Sequence, residues 1–300
     1  MTNENYFKLI RETNSIESFD GKLPQKVVIP KEMHGVRITR INMGGFEYKR
    51  IKELILHDGL IEIGDRAFKG NEISNLMFPE SVRSIGENAF SNNKLGKIII
   101  PKNVNYIGPF AFFESQLLSV FIPESVTSIN KMAFAYNRIA KIMIPGGVRK
   151  IDYGAFAFNK LTDVIIQDGV TSIGDVAFVN NNITNLRLSN NLISIGASAF
   201  VMNFLVKVTI PDTVTSIGDY AFLDNNLKEV ILSKNLVSIG REAFKGNEIE
   251  MIIIPKTVDF IGEGAFKSQN RKLKRVIILG DEKRFNSEWV SIGFPKKLMP

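Results

Sequence analysis

The 300-residue chain has no cysteine, one tryptophan and two histidines. Without cysteine there is no disulfide-stapled scaffold, no thiolate metal site and no cysteine nucleophile. No run approaches the roughly 18 apolar residues that a membrane-spanning helix needs. The start, Met1-Thr2-Asn3-Glu4-Asn5-Tyr6-Phe7-Lys8, is polar and acidic where a secretion signal needs a basic lead and an apolar run. As read, the sequence carries no export address. Hydrophobic residues make up 44% and charged residues 23%, which excludes a disordered polymer. The 11 prolines and 23 glycines follow no three-residue period, which excludes collagen. Length alone would suggest two domains, because single cores rarely grow beyond about 250–300 residues.

The net charge of +7 is concentrated at one end. Residues 267–300 hold nine basic residues against Asp281, Glu282 and Glu288, a balance of +6 that leaves +1 for the rest. Lys272, Lys274, Arg275, Lys283, Arg284, Lys296 and Lys297 could meet an anionic polymer or membrane surface, or keep a chain end soluble. No aromatic residues interleave them as in single-strand nucleic-acid binders, so nucleic acid is not an expected partner.

What the chain has in abundance is self-similarity. Stepping by 22 from Phe46 lands on Phe68, Phe90, Phe112, Phe134, Phe156, Phe178, Phe200, Phe222, Phe244 and Phe266, half of the 22 phenylalanines. Alanine precedes ten of these eleven, and isoleucine lies five residues before all of them. After that isoleucine comes glycine eight times, otherwise Asn42, Asn130 or Asp152. These residues tolerate a left-handed backbone, so the column predicts a turn with positive φ in every unit. Three residues after each phenylalanine from Phe68 to Phe244 stands asparagine, except for Ser115. An asparagine stacked in this way can hydrogen-bond backbone groups that a turn leaves unpaired.

The segment before Pro79, Pro101, Pro123, Pro145, Pro211 and Pro255 alternates with period two, the pattern of a half-buried strand. The Gly-x-x-Ala-Phe segment suits one helical turn that drives Phe inward. One unit cannot bury its apolar face alone, whereas stacked units share a core. The pattern therefore predicts a solenoid: a parallel β-sheet of twelve strands on one face, with short helical turns and loops on the other. The expected division is 1–45 as an N-terminal cap with a first atypical repeat, 46–266 as ten tandem 22-residue repeats, and 267–300 as a last strand and C-terminal cap. Tyr6–Ile10 and Ile16–Phe19 read as a covering hairpin. Met33–Arg37 reads as an insertion. Asp281 reads as the N-cap of a short helix on which Phe285 and Trp289 share a face, with Trp289 lidding the last Phe layer.

The elements Ile-Gly-x-x-Ala-Phe, Asn-x-Leu and apolar-x-Ile-Pro-x-x-Val, as in Val214-Thr215-Ser216-Ile217-Gly218-Asp219-Tyr220-Ala221-Phe222, closely resemble the BspA-like leucine-rich repeat family over residues 19–280. The opening Val27-Val28-Ile29-Pro30 followed by Gly35-Val36-Arg37-Ile38-Thr39-Arg40-Ile41 is similar to that family's lead into its first repeat. The resemblance implies a leucine-rich-repeat-type, right-handed superhelix. It also implies a bacterial adhesin-like or surface-antigen-like binding role toward host or matrix proteins, with secretion or surface display.

No catalytic constellation stands out. His34 and His57 lie apart from spaced carboxylates and read as solvated surface residues. No phosphate-cradling loop or nucleophile elbow occurs. Asp65, Glu87, Asp175, Asp219 and Glu263 read as helix-start charges rather than a calcium ladder. The expectation is a non-enzymatic protein that needs no cofactor or metal.

Nine residues after each phenylalanine, between two inward strand positions, a side chain must point outward. That column reads Ile55, Met77, Ile99, Phe121, Met143, Ile165, Arg187, Thr209, Ile231 and Ile253. Its neighbour, from Glu53, Asn75, Lys97, Ser119 and Lys141 onward, is mixed and polar. An apolar centre with a polar rim is how protein interfaces are built, although β-branched residues also favour strands wherever they sit. The expected ligand-binding stripe is Ile55, Met77, Ile99, Phe121, Met143, Ile165, Arg187, Ile231 and Ile253, facing a protein ligand. The alternative is a structural scaffold inside the cell that self-associates through the same stripe and the end strands as a homo-oligomer.

Overall fold

Phenylalanine rings stacked on copies of themselves form the axis of each half of the chain. The computed structural model describes residues 4–19, 21–270, 272–281 and 283–299. The chain divides into two units, Met1–Val148 and Arg149–Pro300, and each is a parallel β-solenoid with the expected 22-residue period. In the first unit, Phe46, Phe68, Phe90, Phe112 and Phe134 stack at centroid spacings of 5.3, 5.4, 5.7 and 5.4 Å. In the second unit the stack runs from Phe156 to Phe266 at 5.3–5.5 Å. The rings lie nearly parallel and all eleven are fully buried, so the offset-stacking preference of aromatic pairs adds to plain burial.

Beside this stack runs a polar spine, as the asparagine column predicts. Asn181 Nδ2 donates to the carbonyls of Phe156 and Phe178 at 3.0 and 3.1 Å, and Asn181 Oδ1 accepts from Leu161 N–H at 3.1 Å. In the first unit, Asn93 does the same with the Phe68 and Phe90 carbonyls and Ile73 N–H. Ser115, which breaks the column, reaches the Phe90 carbonyl at 2.7 Å. Gln269 fills the place in the last coil, donating to the Phe244 carbonyl and accepting from Ile249 N–H. Each of these buried amides thus ties two coils together and satisfies the phenylalanine carbonyls it reaches.

The glycine column needs a correction. None of Gly64, Gly86, Gly108, Gly174, Gly196, Gly218, Gly240 and Gly262 has positive φ. Their constraint is close approach: a Cβ on Gly218 would lie 2.6 Å from Ala197 N, and one on Gly196 2.6 Å from Asp175 N, both in the preceding coil. The left-handed residues stand two places before and two places after each phenylalanine. In the second unit these include Val176, Ser198, Tyr220 and Glu242 on one side and Asn180, Met202 and Asp224 on the other, all with φ of 50–60°. The Gly-x-x-Ala-Phe segment is accordingly a pair of tight turns rather than one helical turn, closed by bonds such as Ala221 N–H to Gly218 O (3.3 Å) and Leu223 N–H to Tyr220 O (3.0 Å). These turns aim backbone groups along the stack, so that Phe200 N–H donates to Ala221 O and Gly218 N–H to Ile195 O, each at 2.8 Å. With no helix to start, Asp175 and Asp219 have another task. Their carboxylates accept the N–H of Ala197 and Arg241 in the next coil, each at 2.7 Å.

Most coils carry two short strands where the sequence shows one. The predicted ladder comprises Lys26–Val28, Glu53–Ile55, Lys97–Ile99, Ser119–Phe121 and Lys141–Ile144 in the first unit. In the second it comprises Asp163–Ile166, Asn185–Arg187, Lys207–Thr209, Glu229–Ile231, Met251–Ile254 and Arg275–Ile278. At Asn75 it thins to a single bridge with Glu53. There Phe78 replaces the aliphatic residue of neighbouring coils and stands edge-on to Phe90 at 5.4 Å. A second parallel ladder, unpredicted, runs through the Ser-Ile dipeptides, for example Ser172–Ile173, Ser194–Ile195, Ser216–Ile217 and Ser238–Ile239.

Both ends are covered. Phe7–Ile10 and Ser15–Ser18 form the expected antiparallel hairpin, with Phe7 edge-on to Phe46 at 6.0 Å. The insertion folds as a small hairpin of Glu32–Met33 and Val36–Arg37, turning through His34 and Gly35 in left-handed conformation. At the far end the helix is shorter than expected, Trp289–Ile292. Asp281 instead accepts from Lys283 N–H in a turn. The lid on Phe266 is Phe294, stacked at 5.1 Å, while Trp289 buttresses Phe294 at 4.8 Å. The terminal residues Met1–Asn3 and the charges of Arg271 and Glu282 lie outside the described residues.

Three substitutions test this packing by chemical denaturation. Phe200→Ala, in mid-stack, is expected to cost about 3–5 kcal/mol through its cavity, against under about 0.5 kcal/mol for exposed Lys160→Ala. Asn181→Ala is expected to cost about 1–3 kcal/mol, because buried carbonyls lose their donor; Asn181→Asp, which places a carboxylate against those carbonyls at pH 7, should cost more. Gly218→Ala is expected to destabilise by about 1–3 kcal/mol through overpacking, whereas Tyr220→Gly, which relieves a left-handed tyrosine, should be neutral or stabilising. The opposite order at these two positions would restore the positive-φ reading of the glycine column.

Candidate functional site

Alternation along the strands fixes which side chains face water. In the first unit Leu54, Leu76, Ile98 and Ile142 point inward and are buried. The residues between or beside them are the predicted stripe: Ile55, Met77, Ile99, Phe121 and Met143, all exposed. The exposure is substantial at the centre, 87% for Met77, 63% for Ile99 and 62% for Phe121, whereas a buried strand face would leave almost none. Parallel register sets Ile99 directly beside Phe121 and Val28 beside Ile55. The border is charged and partly self-paired, with Lys26 Nζ 2.6 Å from Glu53 Oε1.

In the second unit the stripe is interrupted. Ile165 is exposed, then Arg187 and Thr209 make the middle polar, and Ile231 and Ile253 restore an apolar surface. Register aligns Ile165 with Arg187 and Thr209 with Ile231. Two surface depressions lie here. One, of about 590 Å³, is lined by Ile165, Asn185, Arg187, Lys207 and Thr209 among others. The other, of about 560 Å³, is lined by Ile231, Met251, Ile253, Pro255, Leu279 and lysine stems. Met251 and Leu279 extend the apolar surface there beyond the predicted column; the former stands at a border position and the latter follows the last strand.

A half-buried aromatic cluster on the turn side of the first unit lies outside the expected stripe. Phe110 and Phe113 meet at 5.7 Å, Phe113 and Tyr136 at 5.2 Å, and Lys131 Nζ lies 5.8 Å from the Phe110 ring centre. Phe110 and Tyr136 occupy left-handed positions, which turn the two side chains outward. The only sequence signal was aromatic residues in columns that the core does not use.

The titratable groups show structural roles. Asp212 is held below the ordinary carboxylate range first by Lys234 N–H and then by the lysine side chain. Asp168 is lowered in the same way by Asn190 N–H. Glu72 and Glu250 are lowered first by hydrogen bonds from Lys94 and Lys274. These are bonds from one coil to the next, not the apolar burial that raises a carboxyl for general-acid work. Among the described residues, no group of three His, Asp or Glu side chains could hold a metal ion, and no helix is long and apolar enough to cross a membrane. His34 is exposed, as expected. His57 is not: it is buried, with Nδ1 donating to the Asp58 carbonyl at 3.0 Å and Nε2 without a partner. It occupies the column in which other coils carry proline, so backbone geometry rather than solvation places it.

Comparison with known proteins agrees with this geometry. Among curated proteins, none matches the sequence. Among solved structures, the pneumococcal vaccine antigen PcpA aligns at a TM-score of 0.62 with 20% identity, over 95% of this chain and 88% of that one. A leucine-rich repeat protein from Bacteroides ovatus ATCC 8483 aligns at 0.55 with 19% identity, over 90% and 92%. At such identities the likeness concerns fold alone. The family model described as the BspA type leucine rich repeat region matches in six copies, over residues 39–162 and 149–274. With phenylalanine, asparagine and close-packed glycine recurring in phase through those residues, the chain belongs to the BspA-type leucine-rich repeat family.

Proposed function

We propose that this chain is a non-enzymatic protein-binding module that takes a protein ligand on its outward strand stripe, in the manner of a bacterial adhesin or surface antigen. The observation that carries the reading is the exposed apolar row Met77, Ile99, Phe121 and Met143 in the first unit. Soluble chains seldom leave such a contiguous row uncovered, and Met and Phe are enriched at the centres of protein interfaces. β-propensity explains the isoleucines of the row but not Met77, Phe121 or Met143. The likeness in fold to a protein named as a pneumococcal vaccine antigen is in keeping with surface display. Affinity comes from burying the row, and register from the charged border.

The double substitution Ile99→Asp with Phe121→Asp tests the reading against a panel of immobilised host matrix proteins. The intact chain should bind at least one of them at micromolar Kd or tighter, and the variant should bind about a hundredfold more weakly or not at all. The thermal midpoint should move by under about 4 °C, since both side chains face water. A panel without a binder, or equal binding by the variant, would contradict it. A concentration-dependent dimer that disappears in the variant would assign the stripe to self-association instead.

A further inference from the structure

We infer that the depression at the C-terminal end of the second unit's stripe is a docking groove for an acidic, extended peptide segment of a protein partner, whose apolar side chains cover Ile231 and Ile253. The inference rests on the protein-binding reading above and narrows it to one groove and one partner chemistry. Ile231, Ile253, Met251 and Leu279 are each between two-fifths and half exposed, and Pro255 completes the wall. The volume of about 560 Å³ is ligand-sized. A small ligand usually has 70–90% of its surface buried by its site, and an open trough along a strand ladder does not enclose one in this way. It suits side chains presented by a larger partner, held in line by the strand spacing.

Charge decides which partner. The two acids of the lining, Glu229 and Glu250, are already engaged by Lys207 and Lys274 at 2.7 and 2.8 Å. Of the three lining lysines, Lys234 pairs with Asp212 at 3.1 Å, which leaves Lys228 and Lys256 exposed at the rim as excess positive charge. Exposed Arg275 adds to it. In a separate column, one residue beyond the proline position that ends each strand segment, Asp168, Asn190 and Asp212 give way to Lys234 and Lys256. The two ends of a second copy are poor occupants by the same criterion, because residues 1–45 and 267–300 both carry net positive charge. A segment with Asp or Glu flanking two apolar residues fits both floor and rim.

The experiment selects a displayed library of random peptides of about twelve residues on the full chain and on the Ile253→Asp variant, whose melting is checked in parallel. Peptides enriched on the full chain but not on the variant should carry an excess of Asp and Glu beside apolar residues. A synthetic copy should bind at least about tenfold more weakly to Lys228→Glu with Lys256→Glu, and more weakly at about 500 mM than at about 50 mM salt. The Ile99→Asp with Phe121→Asp variant should bind it unchanged. No enrichment, or enriched peptides without acidic excess, would overturn the inference. So would peptides lost on the Ile99→Asp with Phe121→Asp variant but kept on Ile253→Asp, an outcome that leaves the stripe reading standing. Peptides indifferent to both variants would overturn both. Should Ile253→Asp melt early, the charge-reversed lysine pair, exposed and away from the core, replaces it in the selection.

Discussion

Each coil rests on a near-copy of itself, and that contact constrains every other feature of the fold. A phenylalanine ring that stacks at about 5.3 Å on the ring above and below can only be replaced by something flat and equally large, in every coil at once. The same geometry brings backbones within reach of each other. Glycine is then needed where a Cβ would meet the previous coil, and asparagine where two coils offer carbonyls to one amide. The stack, the polar spine and the close backbone contact are three consequences of one repeat distance.

Much of this was legible because it recurs. Eleven phenylalanines in phase identify a stacked core without any knowledge of strands, and the asparagine column announces a hydrogen-bonded ladder. What the letters hid was conformation. Glycine serves both where φ must be positive and where no Cβ fits, and one letter does not distinguish them; at Gly218 and its equivalents it is the second. The true left-handed positions mix residues that favour such a backbone, such as Asn88, Gly154 and Asn180, with Val176, Tyr220 and Phe158, which do not; at the latter, inter-coil hydrogen bonds override local preference. The Ser-Ile ladder escaped notice because two residues are too few to show alternation. Phe294 escaped because it stands outside the 22-residue phase and meets Phe266 only through the C-terminal turn.

The candidate surface was legible to the same extent. Once the inward columns are known, period two sends Ile99 and Phe121 outward, and that is where they lie. The walls of the second unit's groove were not legible, since Leu279 follows the last strand and Met251 stands in a border column. Lysine stems there also serve as apolar walls while their charges remain at the rim. A regular scaffold thus leaves its variable columns free for recognition.

Hydrogen exchange of the phenylalanine amides tests the central claim most directly. Each of Phe178, Phe200, Phe222 and Phe244 donates its N–H to the alanine carbonyl of the next coil at 2.8 Å, inside the stack, and opening that bond requires parting two coils. These amides should be among the slowest in the second unit and should exchange together, at a rate set by cooperative unfolding. Phenylalanine amides that exchange as fast as those of exposed turn residues, or one by one, would contradict a core built from mutually stacked coils.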